Sequence, residues 1–266
     1  MLLQLPTNIM HIPHIFIVED SEYNQVLFAK MLDQLGYSCS TTGDVVHLLK
    51  LLELSVPNLI LIDMDMTSMD GFEIIQLIRS GNTGADKNVP VIASTNKLTE
   101  SLQAKFSETG FSGWILKPFT KQTLKVKIDL IFDSLLRNPS EQEETKKTGS
   151  DVEEPMYSLK YLLEGSDGDE EFLKMMIGMF VESTPAAIQS MHNGLAQSDW
   201  DKIRQEAHKL RSHLRYFGMI QAAILTEEIE RTATHNPGEL ILKELIGKVD
   251  LICQTCVRQL SEEFHL

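Results

Sequence analysis

Leu59-Ile60-Leu61-Ile62-Asp63-Met64-Asp65-Met66-Thr67-Ser68-Met69-Asp70-Gly71 decides the architecture of the first half of the chain. Four apolar residues in a row, two of them β-branched, read as a short strand buried on both faces. Such strands belong to parallel sheets covered by helices. The run ends in acid at Asp63, Asp65 and Asp70. In open α/β sheets, ligands and chemistry sit at the carboxyl ends of the strands. Asp63 is then a carboxylate held by a rigid element at a functional rim. A simpler reading, in which Asp63 caps the following helix, fits this stretch equally well.

Working outward, Ile15-Phe16-Ile17-Val18 is a second buried run, followed by Glu19-Asp20-Ser21, which can cap a helix ending near Gly36. Tyr37 to Thr41 reads as a short strand, and a helix from about Asp44 to Leu54 carries Val45, Leu48, Leu49 and Leu52 at helical spacing. Beyond Gly71 come a helix with Phe72, Ile75 and Ile78, the strand Pro90-Val91-Ile92-Ala93, a helix over about Thr99 to Thr109, and the strand Gly113-Trp114-Ile115-Leu116. A last helix from about Thr120 buries Leu124, Ile128, Ile131 and Leu135. Strand–helix alternation of this kind is a doubly wound α/β domain with a five-stranded parallel sheet.

The texture then changes. Residues 138–154 have almost no apolar side chains and many acids, a linker composition. If flexible, roughly 17 residues span ~20–25 Å on root-mean-square average. From Tyr157 onward only helical periods remain, broken at Gly165-Ser166-Asp167-Gly168, Gln197-Ser198-Asp199, Phe217-Gly218 and Asn236-Pro237-Gly238. Four substantial helices with short connections form an antiparallel bundle. The last shows Leu242, Leu245, Val249, Ile252 and Cys256 as its seam. The expected division is 13–137 for the α/β domain, 138–154 for the acidic linker and 155–266 for the all-α four-helix bundle.

Composition narrows the function. A net charge of −14 argues against a nucleic-acid surface, which needs clustered Lys and Arg. No signal-peptide pattern is present at Met1–Pro6, and no segment approaches the roughly 20 apolar residues that span a bilayer. Cys39, Cys253 and Cys256 make no disulfide framework, so a cytoplasmic home with no membrane association is expected. The Cys253-Gln254-Thr255-Cys256 spacing lies in an apolar helix and reads as core. His11 and His14 are separated by Pro13, which breaks any shared helix face, and the 165–168 stretch reads as a turn.

Each strand end of the α/β domain contributes a chemical group: Glu19 and Asp20, Asp63, Thr95, and Lys117. Three carboxylates at one rim repel unless a cation sits among them. Mg2+ suits such a site, being held by few carboxylates plus waters and a phosphate oxygen. A lysine and a hydroxyl supply further donors to a phosphoryl group, whose transfer is mostly positioning and charge neutralisation.

Glu19-Asp20, the Leu59–Phe72 stretch, Pro90-Val91-Ile92-Ala93-Ser94-Thr95 and Lys117-Pro118-Phe119, in order over about residues 13–136, resemble the receiver domain of two-component response regulators, a flavodoxin-like fold. The resemblance implies that Asp63 is the phosphoacceptor, that Glu19, Asp20 and Asp63 hold Mg2+ with a backbone carbonyl from Asp65, and that Thr95 and Lys117 bind the phosphoryl group. It also implies an aromatic switch at Trp114 and a cis Lys117–Pro118 bond. Thr67-Ser68 departs from the family's usual Pro-Gly, and Asn96 stands where a small residue is usual.

In the bundle, Ile203, Ala207, Leu210, Leu214 and Phe217 share one face of a helix over 199–217. Arg204, His208, Arg211 and Arg215 recur on another, which places a histidine on the exposed side among three arginines. Such a field disfavours an imidazolium and favours an anion at the ring, and a phosphorylated imidazole is one. A plain solvated face is the alternative. Glu170-Glu171-Phe172-Leu173, Met179-Phe180-Val181-Glu182-Ser183-Thr184-Pro185 and Ala207-His208-Lys209-Leu210-Arg211-Ser212, with Gly218, resemble a histidine phosphotransfer (HPt) domain over about 155–262. The resemblance makes His208 the phosphoacceptor, with Arg204, Arg211 and Arg215 as its basic surface. His213, five residues on, points elsewhere.

Together these features read as a phosphorelay intermediate. Asp63 is charged by a histidine kinase or hybrid kinase, His208 exchanges phosphoryl groups with a receiver, and other response-regulator receivers are partners. A phosphorylation-switched interaction module and a phosphate sink are the alternatives. No ATP-binding segment of the histidine-kinase type is seen.

Overall fold

In the computed structural model, which describes residues 12–66, 69–136, 157–235 and 238–266, every apolar run named above becomes a strand. The first half alternates β1 (His14–Val18), α1 (Glu22–Gln34), β2 (Ser38–Thr42), α2 (Val45–Leu54), β3 (Leu59–Asp63), α3 (Gly71–Arg79), β4 (Val91–Thr95), α4 (Glu100–Thr109), β5 (Gly113–Leu116) and α5 (Lys121–Leu136). β2 and β4 each begin one residue later than the sequence pattern suggests. The helices start where polar caps meet free backbone N–H groups: Ser21 accepts from Asn24, Asp44 from His47, and Thr99 from Leu102.

All strand pairs are parallel, in the order β2-β1-β3-β4-β5. Because side chains alternate along a strand, Ile15, Ile17, Leu59 and Leu61 face α1 and α5, while Phe16, Val18, Ile60 and Ile62 face the opposite layer. Both faces are covered, which is why the strands read as continuous apolar runs. Chain direction across the sheet reverses between β1 and β3, so their carboxyl ends flank the crevice where such sheets bind ligands. Val18 pairs with Ile62, which sets Glu19 beside Asp63.

The second half holds a short helix, α6 (Lys160–Ser166), and four long ones: α7 (Glu170–Gln197), α8 (Trp200–Tyr216), α9 (Ile220–His235) and α10 (Glu239–Phe264). The 138–154 stretch read as a linker lies outside the described residues, as do His11 and the Thr67-Ser68 pair. The predicted core face of α8 is buried throughout: Ile203, Ala207, Leu210 and Leu214, then Phe217 beyond its end. Phe217 stacks on Phe180 with ring centroids 3.9 Å apart, an arrangement that contributes about 0.5–1.5 kcal/mol beyond area burial. The buried row of α10 is Leu242, Ile246, Val249, Cys253, Cys256 and Leu260; Leu245 and Ile252, expected in the seam, are half-buried on its edge. The row keeps the alternation of three and four, but Ile246 and Cys253 take the inward positions in place of their neighbours Leu245 and Ile252. Cys253 and Cys256 are free, and burial pushes their thiols up to about 12 and about 11, so they pack rather than react.

The core on the α1 side of the sheet continues without a break into the bundle through Leu162, Phe172, Tyr216 and Phe217. Among the described residues no helix is long and apolar enough to cross a membrane.

Gly218 turns the chain from α8 into α9 at φ +63, and a Cβ there would lie 2.7 Å from Ser158 Cβ and 3.0 Å from its backbone nitrogen. Gly218→Ala is expected to destabilise the protein by about 2 kcal/mol, from a left-handed backbone and a close approach that cannot relax. The measurement is a lowered urea midpoint at unchanged m-value.

Candidate functional site

Of the five side chains expected at the rim, Glu19, Asp20, Asp63 and Lys117 gather there, because their parallel strands end at one level. One oxygen each from Glu19, Asp20 and Asp63 lies within 4.8 Å of the others. The Lys117 ammonium is 2.6 Å from Glu19 Oε2 and 2.9 Å from Asp63 Oδ2, and all three side chains are nearly inaccessible. The Lys117–Pro118 peptide is cis. Three carboxylates against one ammonium leave an excess of negative charge. The donor set is all oxygen, which suits a hard divalent cation such as Mg2+. Burial first, then the Asp63 charge, pushes the Glu19 carboxyl well above the usual carboxylate range, against the opposing pull of Lys117. Burial works against the Lys117 ammonium, but Asp63 and then Glu19 more than offset it and hold the lysine charged.

Asp65 stands apart from this cluster. Its N–H donates to Asp63 Oδ1 at 3.1 Å, while its carboxylate turns across the rim to accept from the backbone N–H (2.7 Å) and side-chain amide (3.0 Å) of Asn96. Its side chain is thus engaged away from the acids, and its main-chain N–H is what reaches Asp63. The Thr95 hydroxyl is folded onto its own loop, donating to Lys97 O at 3.0 Å and accepting from Lys97 N–H at 3.3 Å. Trp114 pairs with Ala93 in the sheet, stacks on Phe106 at 6.1 Å and has the Lys127 ammonium 5.7 Å from its ring.

The histidine of α8 is placed otherwise than the helical wheel suggests. His208 is 9% exposed and Arg211 6%, so neither lies on an open face. Two neighbours cover them. α9 returns antiparallel to α8 and brings Glu230, whose Oε1 is 3.0 Å from His208 Nδ1 and whose Oε2 is 3.1 Å from Arg211 Nη1. Glu227, one helical turn before it, is 3.3 Å from Arg215 Nη2. Arg204 lies near Asp201 at 3.5 Å. Glu230 and Glu227 escape a reading of motifs, yet a signal existed. Folding the chain at the 217–219 turn sets residues near 208–215 opposite 227–230, so the arginine stripe faces these acids.

The other neighbour is the rim itself. A cavity of about 360 Å3 is shared by Asp65, Asn96 and Lys97 on one wall and His208, Arg211 and Glu230 on the other. Its walls are held together by the Lys97–Glu227 ion pair. Further contacts run along α1: Ser21 Oγ to His213 Nε2 at 2.8 Å, and the Asn24 amide to Ser212 Oγ at 2.8 Å. His213 thus points away from the cavity, to the N-cap of α1. Burial, then the Lys209 charge, pushes its imidazole down to about 4 against the pull of Asp20, so it is neutral at physiological pH.

Two domain classes are defined by this fold and this pair of sites, and sequence comparison agrees. Residues 15–129 match the family model of the response regulator receiver domain, and residues 175–262 match that of the Hpt domain. The chain carries both, a receiver followed by a histidine phosphotransfer domain. It is 35% identical to the sensor histidine kinase RcsC of Salmonella typhimurium over 42% of this chain and 11% of RcsC. The sensor protein GacS of Pseudomonas syringae pv. syringae is 20% identical over 84% of this chain and 25% of its own length. The chain therefore spans a quarter or less of these relatives. The receiver domain of sensor histidine kinase PA1611 from Pseudomonas aeruginosa PAO1, solved with a magnesium ion coordinated in its active site cleft, is 26% identical, covering 46% of this chain and 98% of that one with a TM-score of 0.40.

Removing the lysine should expose how the acids are balanced. Lys117→Met is expected to lower stability by about 3–5 kcal/mol, because it leaves Asp63 and Glu19 buried without a counter-charge. Urea unfolding with and without Mg2+ checks this, with part of the loss recovered when the cation is present.

Proposed function

We propose that the chain is a phosphorelay intermediate in which Asp63 and His208 exchange a phosphoryl group within one molecule. The observation that carries this reading is the shared cavity. One of its walls is Asp65, whose N–H holds Asp63, and the opposite wall is His208. Division into a receiver at 13–137 and an HPt domain at 155–266 is supported by where α5 ends and α6 begins.

In this reading Asp63 accepts the phosphoryl group from a phosphohistidine or a small phosphodonor. Glu19, Asp20, Asp63 and the Asp65 carbonyl would hold Mg2+, which neutralises the phosphoryl oxygens. Lys117, already beside Asp63, donates to one of those oxygens. The Thr95 hydroxyl leaves Lys97 to donate to another, and Trp114 on the neighbouring strand follows that change. His208 gives its Nδ1–H to Glu230, which leaves the Nε2 lone pair as the nucleophile. As the Nε2–P bond forms, the P–O bond to Asp63 breaks and its electron pair returns to the carboxylate. Nδ1 keeps its proton, Glu230 balances the positive ring, and Arg211 and Arg204 face the transferred oxygens. Histidine kinases or hybrid kinases are the donors upstream and other receivers the acceptors downstream.

Acetyl phosphate labelling tests the exchange, since phosphohistidine is alkali-stable and acid-labile. Label at His208 is expected in the wild-type chain and absent in Asp63→Ala. Glu230→Ala should slow its appearance about tenfold, as loss of a group orienting a reactive imidazole does. Label confined to Asp63, with no acid-labile species, would overturn transfer within the molecule.

A further inference from the structure

We infer that the docked arrangement is a closed state which admits a small anionic phosphodonor such as an acyl phosphate to the paired sites, and shuts out any histidine or aspartate carried on another protein. The inference rests on the function proposed above and adds to it which donors reach the site.

The position opposite the rim is already taken. Asp65, Asn96 and Lys97 of the receiver face His208 and Arg211 of α8 across a cavity of about 360 Å3. A phosphoryl donor of a few atoms fits there, whereas a donor histidine on a helix would have to stand where α8 stands.

α8 is also firmly seated. Tyr216 is fully buried, with its ring between Phe28 and Phe119 of the receiver at centroid distances of 6.0 and 6.4 Å and against Tyr161 at 6.2 Å. Tyr23, Leu27, Phe28 and Met31 of α1 are 0–2% exposed. Gly165 of α6 approaches so closely that a Cβ would meet Leu27 and Met31 at 3.1 Å. Buried aromatic anchors inside a rim of polar contacts are the anatomy of a specific interface. The rim is present: Lys30 Nζ to Asp169 Oδ2 at 2.7 Å, Lys121 Nζ to Asp167 Oδ2 at 2.8 Å, and Gln34 Nε2 to Ser166 O at 2.9 Å. In two of these contacts a receiver lysine meets a bundle acid, as Lys97 and Glu227 do beside the cavity.

That charge arrangement supplies the test, because it can be inverted so that chains repel within themselves and fit each other. The donor is the full chain carrying Asp63→Ala, charged at His208 with phosphoramidate. The acceptor is the full chain carrying His208→Gln. In a second pair the donor adds Asp167→Lys and Asp169→Lys, and the acceptor adds Lys30→Asp and Lys121→Asp. Closure predicts transfer between molecules about fivefold faster in the inverted pair, since rim ion pairs of this exposure are individually weak but here change sign. Charging of the acceptor's Asp63 by acetyl phosphate should stay within about twofold. Small-angle scattering should show a larger radius of gyration for each singly inverted chain, restored when all four inversions share one chain. Equal transfer rates in the two pairs, or an unchanged radius of gyration on inversion, overturns closure. The scattering result needs no phosphorylation, so failure of Asp63 or His208 to accept a phosphoryl group counts against the proposed function and leaves closure to be decided on its own.

Discussion

Lys117 lies between two buried carboxylates, and the rest of the receiver is arranged so that it can. Removing such ions from water costs several kcal/mol each, and only close approach of an opposite charge offsets that. With Glu19 on one side and Asp63 on the other, the ammonium needs β1, β3 and β5 to end at one level. A parallel sheet in the order β2-β1-β3-β4-β5 meets that need, and the Val18–Ile62 pairing sets the two acids side by side. The continuous apolar runs of the strands are thus the other half of the same constraint. They make the sheet stiff enough to hold like charges together at its edge.

Most of this is legible in the sequence. Strands buried on both faces leave unbroken runs such as Leu59–Ile62, and a group one residue past such a run is at the rim, as Glu19, Asp63 and Lys117 are, with Thr95 at the end of β4. What could not be read depends on how separate elements meet. Glu227 and Glu230 sit on α9 among other acids and look like an ordinary solvated face until the turn at Gly218 brings them across from Arg215 and His208. His208 looked exposed because a helical wheel contains no second domain. The apolar face of α1 likewise gives no sign that it serves both the sheet and the bundle, since Leu27 and Phe28 would be buried in either case. Nothing in the sequence marks Tyr216, beside the core residue Phe217, as the one whose ring reaches the other domain.

The two phosphoacceptor candidates lie in environments built by different means. Asp63 depends on strand register and a fixed lysine, so its surroundings are set by the backbone. His208 depends on side chains from α9 and on a loop of the other domain, so its surroundings exist only when three elements are assembled. The receiver site is complete in itself; the histidine site is completed by contact.

One amide joins the two. The Asn24 side chain is inaccessible, and its Nδ2 lies 3.1 Å from Glu19 Oε1 and 2.8 Å from Ser212 Oγ, so the same group serves the acid cluster and the bundle. Whatever changes the charge borne by Glu19 changes how strongly that amide is drawn away from Ser212. Coupling of this kind is reciprocal. If filling the acid cluster weakens attachment of the bundle by some factor, detaching the bundle strengthens filling by that same factor. Through Asn24, ion occupancy and domain association would then be two readings of one equilibrium.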